Sequence, residues 1–195
     1  MREVNGLNVY DFDNTILRGD STALFYAYCL ARTPKMLLRL PKLIFGAVFV
    51  LKRDKQRFKQ DMFAFLRDLK NPEAAVAAFW DRKLKRVKRF YLDRRRDDDV
   101  IISASPEFLI KPAMQRLGAA RVLASPVDIH SGLYSGLNCH GQEKVRRLYE
   151  VCPGAVIDEF YSDSHSDDPL ARLAKQAFLV KGEKLTPWEF KGEKP

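Results

Sequence analysis

The stretch VYDFDNTILRGDST sets Asp11 and Asp13 two residues apart, directly after the apolar run Leu7–Tyr10. Along an extended chain alternate side chains point the same way, so both acids share one side and Phe12 takes the other. Two like charges held together need a counter-cation, or one must keep its proton. A second acidic set, FYSDSHSDDPL, places Asp163 just after the strand-like run Ala155–Tyr161, with Asp167 and Asp168 one helical turn later. If the two runs are neighbours in a sheet, the acids meet. Oxygen ligands from separate strand ends are what a hard cation such as Mg2+ takes, keeping waters and a substrate phosphate in its shell.

Two complementary groups lie between the acid sets. IISASPEF ends a strand on Ser103 and Ser105, offering a hydroxyl and, from Ala104 onward, free backbone N–H groups where a helix begins. Such a strand-to-helix turn is a cradle for an anion. GQEKVRRL places Lys144 at the head of a helix, where a lone ammonium meets a phosphate as a point charge. Together these groups describe a site for phosphoryl chemistry.

The elements that must position them follow from periodicity. Leu7–Val9, Val100–Ser103, Arg121–Ala124, Ala155–Tyr161 and Ala177–Val180 are short apolar runs, several β-branched, with helical stretches between most of them. That alternation predicts an α/β fold with a Rossmann-like parallel sheet core, in which ligands bind at the carboxyl ends of the strands. Residues 21–96 hold no such run and read as helices: Ser21–Ala31, an apolar piece after Pro41, Arg57–Leu69, and a piece from Pro72 toward Tyr91. The expected organisation is therefore a core of residues 1–20 and 97–195 with an inserted all-helical cap, residues 21–96. Asp128–Asn138, with Gly132 and Gly136 around Leu133 and Tyr134, reads as a small hairpin or loop, and the tail after Trp188 as frayed.

Composition narrows the class. The chain has 195 residues, 46% hydrophobic and 30% charged, which suits one soluble globular domain with an inserted module. The net charge of +9 is uneven: residues 21–96 carry 20 Lys and Arg against 6 Asp and Glu, and the rest carries 14 against 19. A basic insertion thus sits in an acidic core. Three cysteines, Cys29, Cys139 and Cys152, have unrelated spacings and suggest neither a disulfide framework nor a zinc site, and no export signal precedes Asp11. A cytoplasmic location is expected.

DFDNT, the SAS of residues 103–105, Lys144 of GQEK, and SDSHSD occur in the order and rough spacing of four motifs of the haloacid dehalogenase-like (HAD) phosphatases. The chain resembles their phosphoserine-phosphatase-like branch, which carries a helical cap between the first two motifs and includes phosphatidylglycerophosphate phosphatases. The resemblance implies a Mg2+-dependent phosphomonoesterase. Asp11 would be the nucleophile that forms an aspartyl-phosphate, and Asp13 the general acid and base. Asp11, the Asp13 backbone carbonyl and Asp163 would hold Mg2+. Ser103, Ala104 and Lys144 would hold the phosphoryl oxygens, with Asp167 orienting Lys144 and ranked above Asp168.

Substrate choice is expected to live in the cap. The apolar run Leu43–Leu51, bracketed by basic residues, is too short to span a bilayer, which needs ~20 apolar residues. It suits either peripheral contact with an anionic membrane at its inner face or the inside of a cap bundle. A lipid-linked or other hydrophobic phosphate is the favoured substrate, with phosphoserine or another small metabolite as the alternative. Asp20 is a candidate both for a substrate contact and for a helix cap. Phosphoserine phosphatases usually carry the longer Glu at its place, where it helps read the substrate amine.

Outside the motifs, His130 and His140 read as surface or loop residues, and His165 lies inside the last motif. A non-enzymatic alternative is nucleic-acid binding through KLKRVKRFYLDRRR, where basic residues alternate with Val87, Phe90 and Tyr91. The usual use of such a run is the solvated face of a helix.

Overall fold

The computed structural model describes residues 6–33, 36, 63–119 and 121–190. Six strands form one sheet: β1 (Leu7–Tyr10), β2 (Val100–Pro106), β3 (Arg121–Ser125), β4 (Ile157–Ser162), β5 (Ala174–Lys181) and β6 (Lys184–Pro187). Their order is β3-β2-β1-β4-β5-β6, and the first five are mutually parallel. The expected Rossmann-like α/β sheet is present. Its switch point, where the chain turns from building one side of the sheet to building the other, lies between β1 and β4, and ligands of such sheets bind outside that crevice.

Alternation in the strands sorts side chains to two faces. Val9, Val100, Ile102 and Phe160 belong to one buried cluster with Leu148, Leu170 and Trp188. Tyr10, Ile101 and Tyr161 belong to the other, with Phe12, Phe25, Phe79 and Trp80. Both faces are therefore covered, as a parallel sheet requires. Tyr161 stacks between Tyr10, at 4.6 Å, and Phe178, at 5.1 Å, so β1, β4 and β5 are also tied by rings.

Between β1 and β2 the described elements are all helical. Helix α1 (Ser21–Leu30) begins at Asp20, whose carboxylate accepts from Ala23 N at 2.8 Å. Helix α2 (Pro72–Lys83) is capped by Asn71 and has Pro72 in its first turn, where a missing N–H costs nothing. The continuous helix expected from Pro72 toward Tyr91 is broken. Leu84–Arg86 tighten into a 3-10 turn, Val87 extends to bridge Leu17 antiparallel, and α3 (Arg89–Arg94) follows. Pairing with the chain leaving β1 displaces the helical hydrogen bonds there. Of the piece expected over Arg57–Leu69, Ala64–Asp68 form a 3-10 helix. Its residues before Phe63 lie outside the described residues, as does the apolar run Leu43–Leu51.

The remaining elements are α4 (Glu107–Arg116), α5 (Gln142–Val151) and α6 (Asp168–Ala171). The strand expected over Ala155–Tyr161 begins at Ile157 and runs to Ser162, and the strand expected over Ala177–Val180 begins at Ala174. The loop at Asp128–Asn138 is hairpin-like only in one bridge, Val127 to Tyr134. It closes on the inserted segment, for a Cβ on Gly132 would lie 2.4 Å from the Phe63 carbonyl oxygen. The chain just before the tail forms β6, which turns back on β5 through Gly182 at φ 63°. Among the described residues no helix is long and apolar enough to cross a membrane.

One buried acid sits at the opposite end of the sheet from the carboxyl ends. Asp99, just before β2, is fully buried; its Oδ2 accepts from Arg96 N at 2.8 Å and its Oδ1 has no partner. Burial pushes its pKa up to about 6, against the pull of the Arg96 N–H and guanidinium. The folded protein then holds a proton that the unfolded chain, titrating near ~3.9, releases. Its contribution is full below about pH 4 and is lost as pH rises through about 6. Between pH 4 and pH 7.5, D99N should gain roughly 1–3 kcal/mol of stability relative to the wild type. Urea denaturation of both proteins at the two pH values measures this, and a pH-independent difference would contradict it.

Candidate active site

The chain leaves β1 at Asp11, whose N–H still donates to Tyr161 O of β4 at 2.9 Å. It then turns sharply, with the N–H groups of Ile16 and Leu17 both donating to Phe12 O at 2.9 Å. This turn carries Asp11, Asp13 and Thr15. The Asp11 carboxylate accepts from Lys144 Nζ at 2.7 Å through Oδ1 and from Thr15 Oγ1 at 3.0 Å through Oδ2. Thr15 Oγ1 accepts in turn from Asp163 N at 2.9 Å, so one hydroxyl joins the ends of β1 and β4.

Lys144 reaches this point because α5 starts at Gly141, whose φ of 58° favours glycine, and sends its first turn toward the strand ends. The side chain is 2% exposed. Its ammonium donates to Asp167 Oδ2 at 2.7 Å as well as to Asp11, and Ser162 Oγ donates to the same Asp167 oxygen at 2.8 Å. Burial alone would depress Lys144, but the two carboxylates hold it above the ordinary lysine range, so it is charged. Burial pushes Asp11 up, with Asp167 and Asp13 adding to the effect and Lys144 pulling it back.

Asp13 faces the insertion. It accepts from Ser21 N at 2.6 Å and from Ser105 Oγ at 2.5 Å. Burial and the nearby Asp20 raise its pKa, and the Ser105 and Ser21 hydrogen bonds oppose this. Asp163 is half-buried and is also raised, chiefly by burial.

These groups share one cavity of about 390 Å³, lined among others by Asp11, Asp13, Lys144, Asp163 and Asp167, with Ala104, Ser105, Thr22 and Phe63. Exposed Asp20 and His140 stand at its mouth. Asp20 thus caps α1 and also faces the cavity. Ser103 lies behind the lining: it is buried, and its Oγ accepts from Ser105 N at 3.0 Å. Ser105 presents the hydroxyl here, bonded also to Ser21 and Thr22.

Asp168 turns away from Lys144. Its Oδ1 accepts from Trp188 Nε1 at 2.9 Å and lies 3.3 Å from His165 Nδ1, which fastens the chain after β6 to the loop carrying Asp163 and Asp167. His140 is an exposed loop residue, as expected, and also lines the cavity, while His130 pairs with Glu73 at the surface. Nothing in its local sequence marks His140, since the approach comes from folding its loop over the strand ends. Thr15 was legible in principle, four residues after Asp11 in a tight turn. Cys29 and Cys139 are buried thiols whose pKa values burial pushes up to about 12 and about 11, so they are inert at neutral pH.

The donor set fits a hard divalent cation. Five lining carboxylates, those of Asp11, Asp13, Asp20, Asp163 and Asp167, face one lining ammonium, and the buried Asp167 Oδ1 has no hydrogen-bond partner. Among the described residues no three His, Cys, Asp or Glu side chains form a metal cluster by themselves. The expected set draws on two carboxylates and the Asp13 main-chain carbonyl, so it does not depend on such a cluster.

Comparison with known proteins places this geometry. A protein of Mycobacterium tuberculosis named a probable phosphatase is 30% identical over 90 residues, covering 43% of this chain and 31% of its own. The chain thus spans about a third of the length of the curated relatives it matches. A Bordetella pertussis protein of unknown function shares the fold with a TM-score of 0.70 at 21% identity, over 88% of this chain and 87% of its own. A phosphoserine phosphohydrolase-like protein from Francisella tularensis superposes with a TM-score of 0.56 at 14% identity, over 88% and 85%. The sequence profile of haloacid dehalogenase-like hydrolases matches residues 9–172, from β1 to the end of α6, and the chain belongs to that family.

Proposed function

We propose that this chain is a Mg2+-dependent phosphatase that hydrolyses a phosphate monoester through an aspartyl-phosphate on Asp11. The observation that carries the reading is the convergence of Asp11, Asp163, Asp167 and Lys144 on one cavity at the switch point of the sheet. The name of the mycobacterial relative points the same way.

Each residue has a part. Lys144 and Thr15 hold the Asp11 carboxylate so that one oxygen attacks phosphorus in line. Asp13, whose pKa burial raises above the ordinary carboxylate range, gives a proton to the leaving oxygen and then takes one from the hydrolytic water. Lys144 and the turn at Ala104 receive the phosphoryl oxygens, with Ser103 behind that turn accepting from the Ser105 N–H. Asp167 orients Lys144. Asp11, the Asp13 carbonyl and Asp163 would hold Mg2+, which when bound would neutralise the crowded acids and the developing charge.

The helical segment between β1 and β2 acts in this reading as the cap that selects the leaving group. Its basic, apolar character favours a lipid-linked or other hydrophobic phosphate met at the inner face of an anionic membrane. The small cavity, with Asp20 and His140 at its mouth, favours a small polar metabolite such as phosphoserine. Nucleic-acid binding by the run at 83–96 loses its stacking platform, because Val87, Phe90 and Tyr91 are buried in the core.

The purified protein should turn over a chromogenic phosphate ester when Mg2+ is added, and Asp11→Asn should lower kcat by about 10³-fold or more with the fold intact. Full activity in that variant would reject the mechanism. Asp163→Ala should raise the Mg2+ concentration needed for half-maximal rate by at least about tenfold. Rates on lipid, sugar and amino-acid phosphates, with and without anionic liposomes, separate the two substrate readings.

A further inference from the structure

The limb that returns from the insertion to the core carries a charged side chain with no part in the chemistry above. Lys88 is 3% exposed, which is rare for a lysine. Its ammonium donates to the main-chain oxygen of Asn14, and its backbone N–H donates to Ile16 O at 2.7 Å. Those two carbonyls flank Thr15. Thr15 is itself fully buried, and its hydroxyl joins the Asp11 carboxylate to the Asp163 N–H.

The turn that Lys88 grips needs holding. Asn14 takes φ 56°, the only positive value for a non-glycine among the described residues, at a cost of ~1 kcal/mol or more. The grip also belongs to a larger seam. Val87 bridges Leu17, Arg18 N donates to Arg86 O at 2.9 Å, and Arg86 Nε donates to Arg18 O at 2.7 Å. Lys88 ends this seam nearest the nucleophile. Lys88 lines a second cavity of about 320 Å³, whose lining shares Asn14 and Asp163 with the cavity of Asp11. A charged donor to a main-chain oxygen is roughly twice as strong as a neutral one, which suits a contact that must outlast substrate binding.

We propose that Lys88 is a positioning residue: by holding the carbonyls on both sides of Thr15 it fixes that hydroxyl, and through it the placement of Asp11 against Asp163. The proposal rests on the phosphatase reading for its kinetic consequence but not for its structural one. Without the ammonium the turn relaxes, and a displacement of ~1 Å at a nucleophile costs on the order of 10²-fold in rate.

Lys88→Met keeps the length of the side chain and removes the donor. It should lower kcat by about 10–100-fold, leave KM within about threefold, and keep the melting temperature within a few degrees, with Lys88→Arg recovering part of the lost kcat. In the same variant without substrate, amide hydrogen exchange across residues 13–17 should quicken by about tenfold or more. A Lys88→Met protein with wild-type kcat, or with unchanged exchange at those amides, overturns the proposal. An inactive wild type would defeat the phosphatase reading alone, since the exchange measurement still decides on Lys88. If Lys88→Met does not fold, Lys88→Gln takes its place with the same outcomes.

Discussion

A single ammonium, that of Lys144, holds the centre of this molecule together. It is buried between two carboxylates that come from opposite ends of the sequence, Asp11 after β1 and Asp167 after β4. Taking such charges out of water costs several kcal/mol per ion, and the cost is offset only where the geometry is good and the other lone pairs are used. Here Thr15 donates to the second Asp11 oxygen and Ser162 to the Asp167 oxygen that also takes Lys144, while the buried Asp167 Oδ1 is left without a hydrogen-bond partner. Removal of one partner would leave an unpaired buried charge, a loss of roughly 3–5 kcal/mol. Helix α5 therefore cannot shift along its axis without breaking the contact that joins the two strand ends.

The sheet order makes that contact possible. β1 and β4 are neighbours although the intervening chain is about 150 residues long, because β2 and β3 are laid on the other side of β1. Every crossover returns the chain to the same edge, so the acids after β1 and β4, the turn after β2 and the start of α5 all open on one crevice. The far end of the chain reinforces it: Trp188, held by Ala177 O at 2.9 Å, donates to Asp168 and so anchors the loop that presents Asp163 and Asp167.

What could be read from the sequence was what short-range pattern encodes. Asp11, Asp13, Asp163, Asp167 and Lys144 each sit at a strand end or helix start that local apolar runs announce, and all five line the cavity. Of the two neighbouring acids, Asp167 is the one that meets Lys144, while Asp168 meets Trp188. Thr15, Lys88 and His140 were assigned no part in the site because their significance is tertiary. A hydroxyl between two strands, a lysine buried by a returning limb and a histidine brought over by a loop leave no periodic trace. The break at Leu84–Lys88 is of the same kind: the helical propensity of KLKRVKRF is real, but pairing of Val87 with Leu17 and burial of Lys88 overrule it.

An acidic cavity poses a difficulty for an anionic substrate, and the charge pattern of the chain answers it. Five carboxylates around one ammonium would repel a phosphate dianion, so the site needs local positive charge before it can take one. In the proposed reaction a divalent ion held by Asp11 and Asp163 would supply that charge. Beyond the Debye length, ~8 Å at physiological salt, exposed charges are largely screened, so only basic residues near the mouth can assist the approach. The excess of Lys and Arg over Asp and Glu lies in residues 21–96, which follow the turn that carries Asp11 and Asp13. In the proposed reaction the acids that would hold the metal and the basic excess that would attract the ester thus belong to different parts of the sequence.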